Sequence, residues 1–322
     1  MRAVRVHELV GPAGLRLDDD VPDPIASAGH VVIDVKACGV NFPDILMTQG
    51  KYQFKPALPF SPGGEVAGIV RSVGANVTSI AVGDRVAATM LHGAYAEQVA
   101  VPELACVKVP EGVSFEIASA TLLTYATTLH ALADRAALAR GETLLVLGAA
   151  GGVGTAAVEL GALMGARVIA AASSDDKIAF CRAHGASEGI NYATEDLKEK
   201  LKAFGGADVI YDPVGGPLAE TALRGIKWEG RYLVVGFASG DIPKIPLNLL
   251  LLKGCQAVGV FWGQFAMREP EKNRAHAAQL FAWIAEGKLR PAVDTVLPFA
   301  HAQQALERIA AREVKGKLVL VP

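Results

Sequence analysis

The sequence has no excess of charge, no paired cysteines and no long apolar run. Lys plus Arg number 31 against 33 Asp plus Glu, a formal charge of −2 at pH 7. That balance gives no electrostatic reason to bind nucleic acid or an anionic membrane. The four cysteines, Cys38, Cys106, Cys181 and Cys255, stand far apart, and none forms a Cys-x-x-Cys metal knuckle or redox pair. They read as reduced thiols, and the expected location is the cytoplasm. The start, Met1-Arg2-Ala3-Val4-Arg5-Val6-His7-Glu8, is too charged for a signal peptide. Apolar segments are broken by Gly and Pro well short of the ~18–20 residues a membrane span needs. Aromatics are scarce at 6%, yet 51% of residues are apolar, enough for more than one core. Disorder is excluded.

What is there changes character near residue 120. Before it, short β-rich runs such as Val31-Val32-Ile33-Asp34-Val35 and Gly68-Ile69-Val70-Arg71-Ser72-Val73 are bounded by Gly, Pro and Asn. Frequent turn signals between short strands argue for a compact, mostly β unit. From about Ser119 the pattern lengthens: residues 119–138 read as one Ala/Leu/Thr-rich helix. Strand Thr143–Leu147 follows, then a glycine cluster and a helix from about Gly154 to Met164. Strand Arg167–Ala172 leads to a helix from Asp176 to His184. Ala207–Tyr211, Tyr232–Val235 and Gln256–Val260 read as further buried strands. Strands alternating with helices imply a parallel sheet covered on both faces. A helix at about 272–286, the run Leu289–Leu297, a helix at 300–311 and a strand Gly316–Val321 form a tail that returns to the first domain.

Strand Thr143–Leu147 runs straight into Gly148-Ala149-Ala150-Gly151-Gly152-Val153-Gly154 and a helix, the context a dinucleotide fingerprint needs. Gly151 lets the backbone approach a pyrophosphate, Gly154 lets helix and strand pack closely, and the helix N-terminus favours the anion. Ala149 stands where the first glycine is usual. The second strand ends in Ala171-Ala172-Ser173-Ser174, without the acid that would bind a free ribose 2′-hydroxyl. Lys177 and the serine hydroxyls favour a 2′-phosphate, hence NADPH. Ser174 or Asp175 as a helix N-cap, with Lys177 facing solvent, accounts for the same residues.

Further segments join these: Cys38-Gly39-Val40-Asn41-Phe42-Pro43-Asp44, Pro62-Gly63-Gly64-Glu65-Val66-Ala67-Gly68, Val82-Gly83-Asp84-Arg85-Val86 and Gly93-Ala94-Tyr95-Ala96-Glu97. Later come Ile190-Asn191-Tyr192, Asp212-Pro213-Val214-Gly215-Gly216 and Gly230-Arg231-Tyr232-Leu233-Val234-Val235-Gly236-Phe237. Together they resemble the medium-chain dehydrogenase/reductase superfamily, and within it the zinc-free NADPH:quinone oxidoreductase, ζ-crystallin-like, branch. The resemblance spans essentially the whole chain. It implies an α/β protein with a GroES-like β domain, residues 1–121 and 265–322. The rest, 122–264, would be a Rossmann domain with a doubly wound parallel sheet, the site lying in the cleft between. One departure stands out: where the branch has Gln-x-x-Lys after the glycine cluster, this chain has Glu159-Leu160-Gly161-Ala162. Altered packing is expected there rather than lost cofactor binding.

In the alcohol dehydrogenase branch a Cys and a His hold catalytic zinc at the positions of Asn41 and Gly64. Neither an amide nor a bare glycine replaces a thiolate or imidazole, so no metal is expected. Without a Lewis acid, alcohol oxidation gives way to hydride transfer onto an already electron-poor acceptor, a quinone or an enone. Asn41 could donate to the acceptor oxygen, Asp44 could order its loop or the nicotinamide ribose, and Tyr52 offers a phenol. Asn41 and Asp44 also suit an Asx turn around Pro43, and Glu65 suits a structural role. By resemblance Thr127 lies beside the nicotinamide, Tyr192 helps bind the 2′-phosphate and Lys317 lies near the cofactor. Ala150 to Gly154, Ser173, Lys177, Gly236, Phe237, Phe261 and Trp262 complete the expected cofactor set. Packing or a strand-edge charge would equally explain the aromatics and Lys317. The seven histidines are given no role.

The leading expectation is an NADPH-dependent quinone or enone reductase. A 2-enoyl-thioester reductase is the alternative, and a non-catalytic interaction module the third reading. The expected partners are a small-molecule acceptor and a second copy of the chain, since Gln256–Val260 would leave an open sheet edge.

Overall fold

The computed structural model describes all 322 residues, which divide into two units: Met1–Leu123, Pro270–Gly287 and Pro291–Pro322 form one, Thr124–Glu269 and Lys288–Arg290 the other. In the first unit β1 (Ala3–Val6) and β2 (Leu15–Asp18) form a small antiparallel ribbon. The main sheet begins with β3 (His30–Val40), whose end leads into helix α1 (Phe42–Thr48). Strands β4 (Glu65–Val73), β5 (Arg85–Thr89), β6 (Gln98–Pro102) and β7 (Cys106–Lys108) follow, then helix α2 (Phe115–Ser119). The β-branched run of β3 is mostly buried, and β4, β6 and β15 (Lys317–Val321) pair along its edges.

The second unit opens on two wide helical turns of π type, Leu122–Ala126 and His130–Arg135, flanking α3 (Thr127–Leu129). Then come β8 (Thr143–Leu147), α4 (Gly152–Leu163), β9 (Arg167–Ala172), α5 (Asp175–Ala183) and β10 (Glu188–Asn191). The unit continues with α6 (Leu197–Ala203), β11 (Ala207–Asp212), α7 (Pro217–Arg224), β12 (Ile226–Val234), α8 (Leu247–Lys253), β13 (Gln256–Gly259) and α9 (Trp262–Arg268). Its six strands are all parallel, in the order β10-β9-β8-β11-β12-β13. Numbered from β8 this is 3-2-1-4-5-6, the doubly wound order whose reversal beside the first strand makes a ligand crevice at the strands' C-terminal ends. The chain then returns to the first unit with α10 (Pro270–Ala285), β14 (Val293–Pro298), α11 (Ala302–Ala310) and β15. No helix is long and apolar enough to cross a membrane.

Three expectations are corrected. The single helix at 119–138 is instead the end of α2, a break, and a helical run from 122 to 135 in which α3 is flanked by the two π-type turns. Ala, Leu and Thr permit a helix of either pitch, and here Leu123 gives its backbone N–H to the Glu65 carboxylate at 2.9 Å. The strand Gln256–Val260 is not buried: β13 is the sheet's edge and its residues are largely exposed, although the run is apolar. The last parallel pair starts later than Leu289, at Val293, where β14 meets β15.

Candidate active site

At the end of β8 the chain turns through Gly148, whose φ of +60° a side chain would resist, and this residue takes the turning role that Ala149 could not. Gly151 is the N-cap of α4. The N–H groups of Gly152, Val153 and Gly154 open the helix without intrahelical acceptors, which makes them donors for an anion. A Cβ on Gly154 would lie 2.2 Å from the Gly148 carbonyl oxygen and 2.8 Å from the Ala149 Cα, so only glycine fits. Gly151 is exposed, and a Cβ there would meet only the Gly148 oxygen at 3.4 Å. Its open face allows close approach from outside.

Across the switch point, Asp212 fixes the turn after β11. One carboxylate oxygen accepts from the Val214 and Gly215 N–H groups at 2.7 and 2.8 Å, the other from the Tyr232 hydroxyl. This seats Val214 against the Gly148 turn. Gly236 gives its N–H to the Asp212 carbonyl at 3.3 Å, and Phe237 rests over Gly215. At the next strand tip Ser174 caps α5 by accepting from the Lys177 N–H, while the Lys177 ammonium reaches the Ser173 hydroxyl at 3.3 Å. The capping role and a lysine near the strand tip therefore hold together. Asp175, the first acid after β9, accepts from the Asn191 amide at 2.9 Å. Tyr192 follows β10 and bonds its N–H to Ala172, placing it beside Ser173. Thr127 begins α3, and its neighbour Thr128 donates to the Thr124 carbonyl at 2.8 Å, reaches the Val153 carbonyl at 3.4 Å and lies 2.9 Å from the Tyr211 hydroxyl. Phe261 and Trp262 stand just beyond β13, the edge strand three places from β8.

In the first unit the sequence-flagged polar residues form one buried cluster where β3, α1, β4 and β15 meet. Asn41 caps α1 as Asp44 accepts its backbone N–H at 2.8 Å. Pro43 suits the first turn of such a helix. Asp44 also accepts the Tyr95 hydroxyl at 2.8 Å. Burial lifts the Asp44 carboxyl to about 6 from 3.8, against the downward pull of those two bonds and of Lys317. The expectation that Asn41 donates to an acceptor is not met. Its amide protons go to the Gly39 carbonyl at 3.2 Å and Glu65 at 3.3 Å, and its oxygen accepts from Lys317. Lys317 is no strand-edge charge either. It is buried, and its ammonium is directed at the Val40 carbonyl (3.0 Å), Asn41 and Glu65 (3.3 Å), three acceptors for three protons, which leaves none for a cofactor. Tyr52 is half-buried beside Val6, Met47 and Phe60, and burial with the nearby Asp44 raises its phenol. Burial also pushes the Cys38 thiol well up, so it is a poor nucleophile. Tyr95 and the turn-fixing role of Asp212 were missed: both lie inside quoted segments, but only folding brings Tyr95 to a carboxylate 51 residues away.

Chains of this kind are known. The alcohol dehydrogenase GroES-like domain matches residues 27–111 and the zinc-binding dehydrogenase domain residues 152–283. A quinone oxidoreductase-like protein 2 homolog from Nematostella vectensis is 39% identical over 99% of this chain and 88% of its own. The chain belongs to the quinone oxidoreductase branch of the medium-chain dehydrogenase/reductase superfamily. Within that family the Homo sapiens quinone oxidoreductase is 32% identical, over 100% of this chain and 98% of its own. The Escherichia coli quinone oxidoreductase, solved in complex with NADPH, superposes with a TM-score of 0.94 at 29% identity, each chain covered in full.

Proposed function

We propose that this oxidoreductase uses NADPH to reduce quinones or related conjugated carbonyls without a metal. One observation carries the reading: no free carboxylate ends β9, and Ser173, Lys177 and Tyr192 gather there, one strand from a glycine turn built to receive an anion. The bare face of Gly151 and the close packing that Gly154 allows behind it fit a pyrophosphate, and relatives solved with NADPH support the same nucleotide. When bound, NADPH supplies the hydride. The Gly152 and Val153 N–H groups would hold its pyrophosphate and Lys177 its 2′-phosphate. Thr127, Ala150, Gly236, Phe237, Phe261 and Trp262 are assigned to the remainder of its length.

The acceptor takes up the hydride and one proton from solvent, becoming a hydroquinone. Its charge spreads over the conjugated ring, so orientation and exclusion of water do most of the work. Asn41, Asp44 and Lys317 act by holding the start of α1 rigid, and Tyr52 presents a phenol to the acceptor. Metal independence rests on chemistry: Asn41 offers an amide already in use, and Gly64 offers no side chain to bind a metal. The same reading makes the enzyme a cytoplasmic homodimer, joined through the open edge of β13.

The test is NADPH oxidation, followed by absorbance, against a panel of quinones, enones and enoyl thioesters. Turnover of a benzoquinone with little or none of crotonyl-coenzyme A is expected. The opposite ranking would replace this function with enoyl-thioester reduction.

A further inference from the structure

Glu159, the residue that departs from the family's glutamine, lies two turns into α4 with its carboxylate buried. One oxygen is 2.6 Å from His184 Nδ1 at the C-terminal cap of α5. The other accepts the Tyr125 hydroxyl at 2.9 Å and the Arg290 backbone N–H at 3.1 Å. A carboxylate has no proton to give, so His184 must donate from Nδ1. Burial beside Glu159 raises the Tyr125 phenol well above its ordinary value, which keeps it protonated and donating. Tyr125 belongs to the first π-type turn and Arg290 to the short segment by which the chain revisits this unit. A few residues on, Thr128 bonds to Val153 in the glycine turn itself. Wide helical turns concentrate at functional sites, and here Tyr125 within the turn and Thr128 in the α3 that follows it both bond to α4. Gly161 lets α4 sit low enough for that, since a Cβ there would lie 2.6 Å from Leu144 Cδ2.

We propose that Glu159 is a positioning residue of the cofactor site, holding the π-type turn and the return segment against α4 so that the glycine turn keeps its binding geometry. The inference rests on the reading that this turn binds a nicotinamide nucleotide. Because the anchor acts on the turn rather than on Lys177, its loss should affect NADPH and NADH alike.

The experiment measures dissociation constants for NADPH and NADH by calorimetry, without acceptor, in the wild type and in Tyr125→Phe, Glu159→Ala and Glu159→Gln. Melting temperatures are recorded in parallel. Tyr125→Phe keeps the ring and removes only the hydroxyl; it should weaken both cofactors about fivefold while lowering the melting temperature by only a few degrees. Glu159→Ala should do more. Glu159→Gln should stay within twofold of wild type, because the amide oxygen still accepts from Tyr125 and Arg290. Folded Tyr125→Phe with wild-type affinities, or an effect confined to NADPH, would overturn the positioning role. A wild type that binds neither nucleotide would overturn the nucleotide reading itself, so the two failures are distinguishable.

Discussion

At the scale of single residues, the sequence names chemistry well and direction poorly. Lys177, Ser173 and Tyr192 could be read because they follow strands whose ends are set by local pattern. Asn41 and Lys317 could not, because which way a side chain turns depends on partners hundreds of residues away, and here they turn toward each other. Lys177→Ala should raise KM for NADPH about tenfold or more and leave NADH nearly unchanged, since a hydrogen bond to a charged group is worth roughly 1.5–3 kcal/mol. Steady-state kinetics with both cofactors decide it; equal losses would make Lys177 structural. Asp44 predicts a pH dependence of stability. Its folded value, about 6, lies above its ordinary 3.8, so the fold binds the proton more tightly than the open chain does. The resulting stabilisation is complete below about pH 4 and is lost as pH rises through 6, a change of up to about 3 kcal/mol. Across pH 4–7 the urea midpoint of the wild type should fall relative to that of Asp44→Asn, which has no proton to lose; a constant difference would refute the assignment.

At the scale of elements, what was legible is what repeats locally. Thr143–Leu147 and Arg167–Ala172 fall where their apolar runs place them, and the glycine cluster between β8 and α4 is visible from spacing alone. The π-type turns were invisible, since at the first of them Leu123 gives its N–H to Glu65, a partner 58 residues away that no local pattern reveals. The edge position of β13 was misread because an apolar strand looks buried until its neighbours are counted. Strand β15 carries the cation of the buried Lys317–Glu65 pair. Lys317→Met should leave Glu65 uncompensated and destabilise the protein by about 3–5 kcal/mol, whereas adding Glu65→Gln should recover part of that loss. Chemical denaturation of the single and double variants tests this, and equal stability of Lys317→Met and wild type would show the pair to be dispensable.

At the scale of the whole molecule, β13 is the free edge of its sheet, and Trp228 of β12 with Leu247, Leu251 and Leu252 of α8 are each at least 70% exposed. An apolar margin beside unpaired backbone groups invites a second copy. Light scattering at micromolar concentration should return a dimer mass, and a monomer would end the proposal. Elemental analysis should find no stoichiometric zinc, and activity should survive a chelator. The two-unit organisation also dictates an order of events during synthesis. Residues 124–269, nearly all of the second unit, are contiguous, whereas β3 waits for a partner that arrives last: Leu318 pairs with Val40, and Lys317 neutralises Glu65. At about 5–20 residues per second, the ribosome needs roughly 15–55 s to cover that interval. Through that time the nascent first unit carries an unpaired strand end and a buried acid without its counter-ion, so the half of the protein made first is the half that must be completed last.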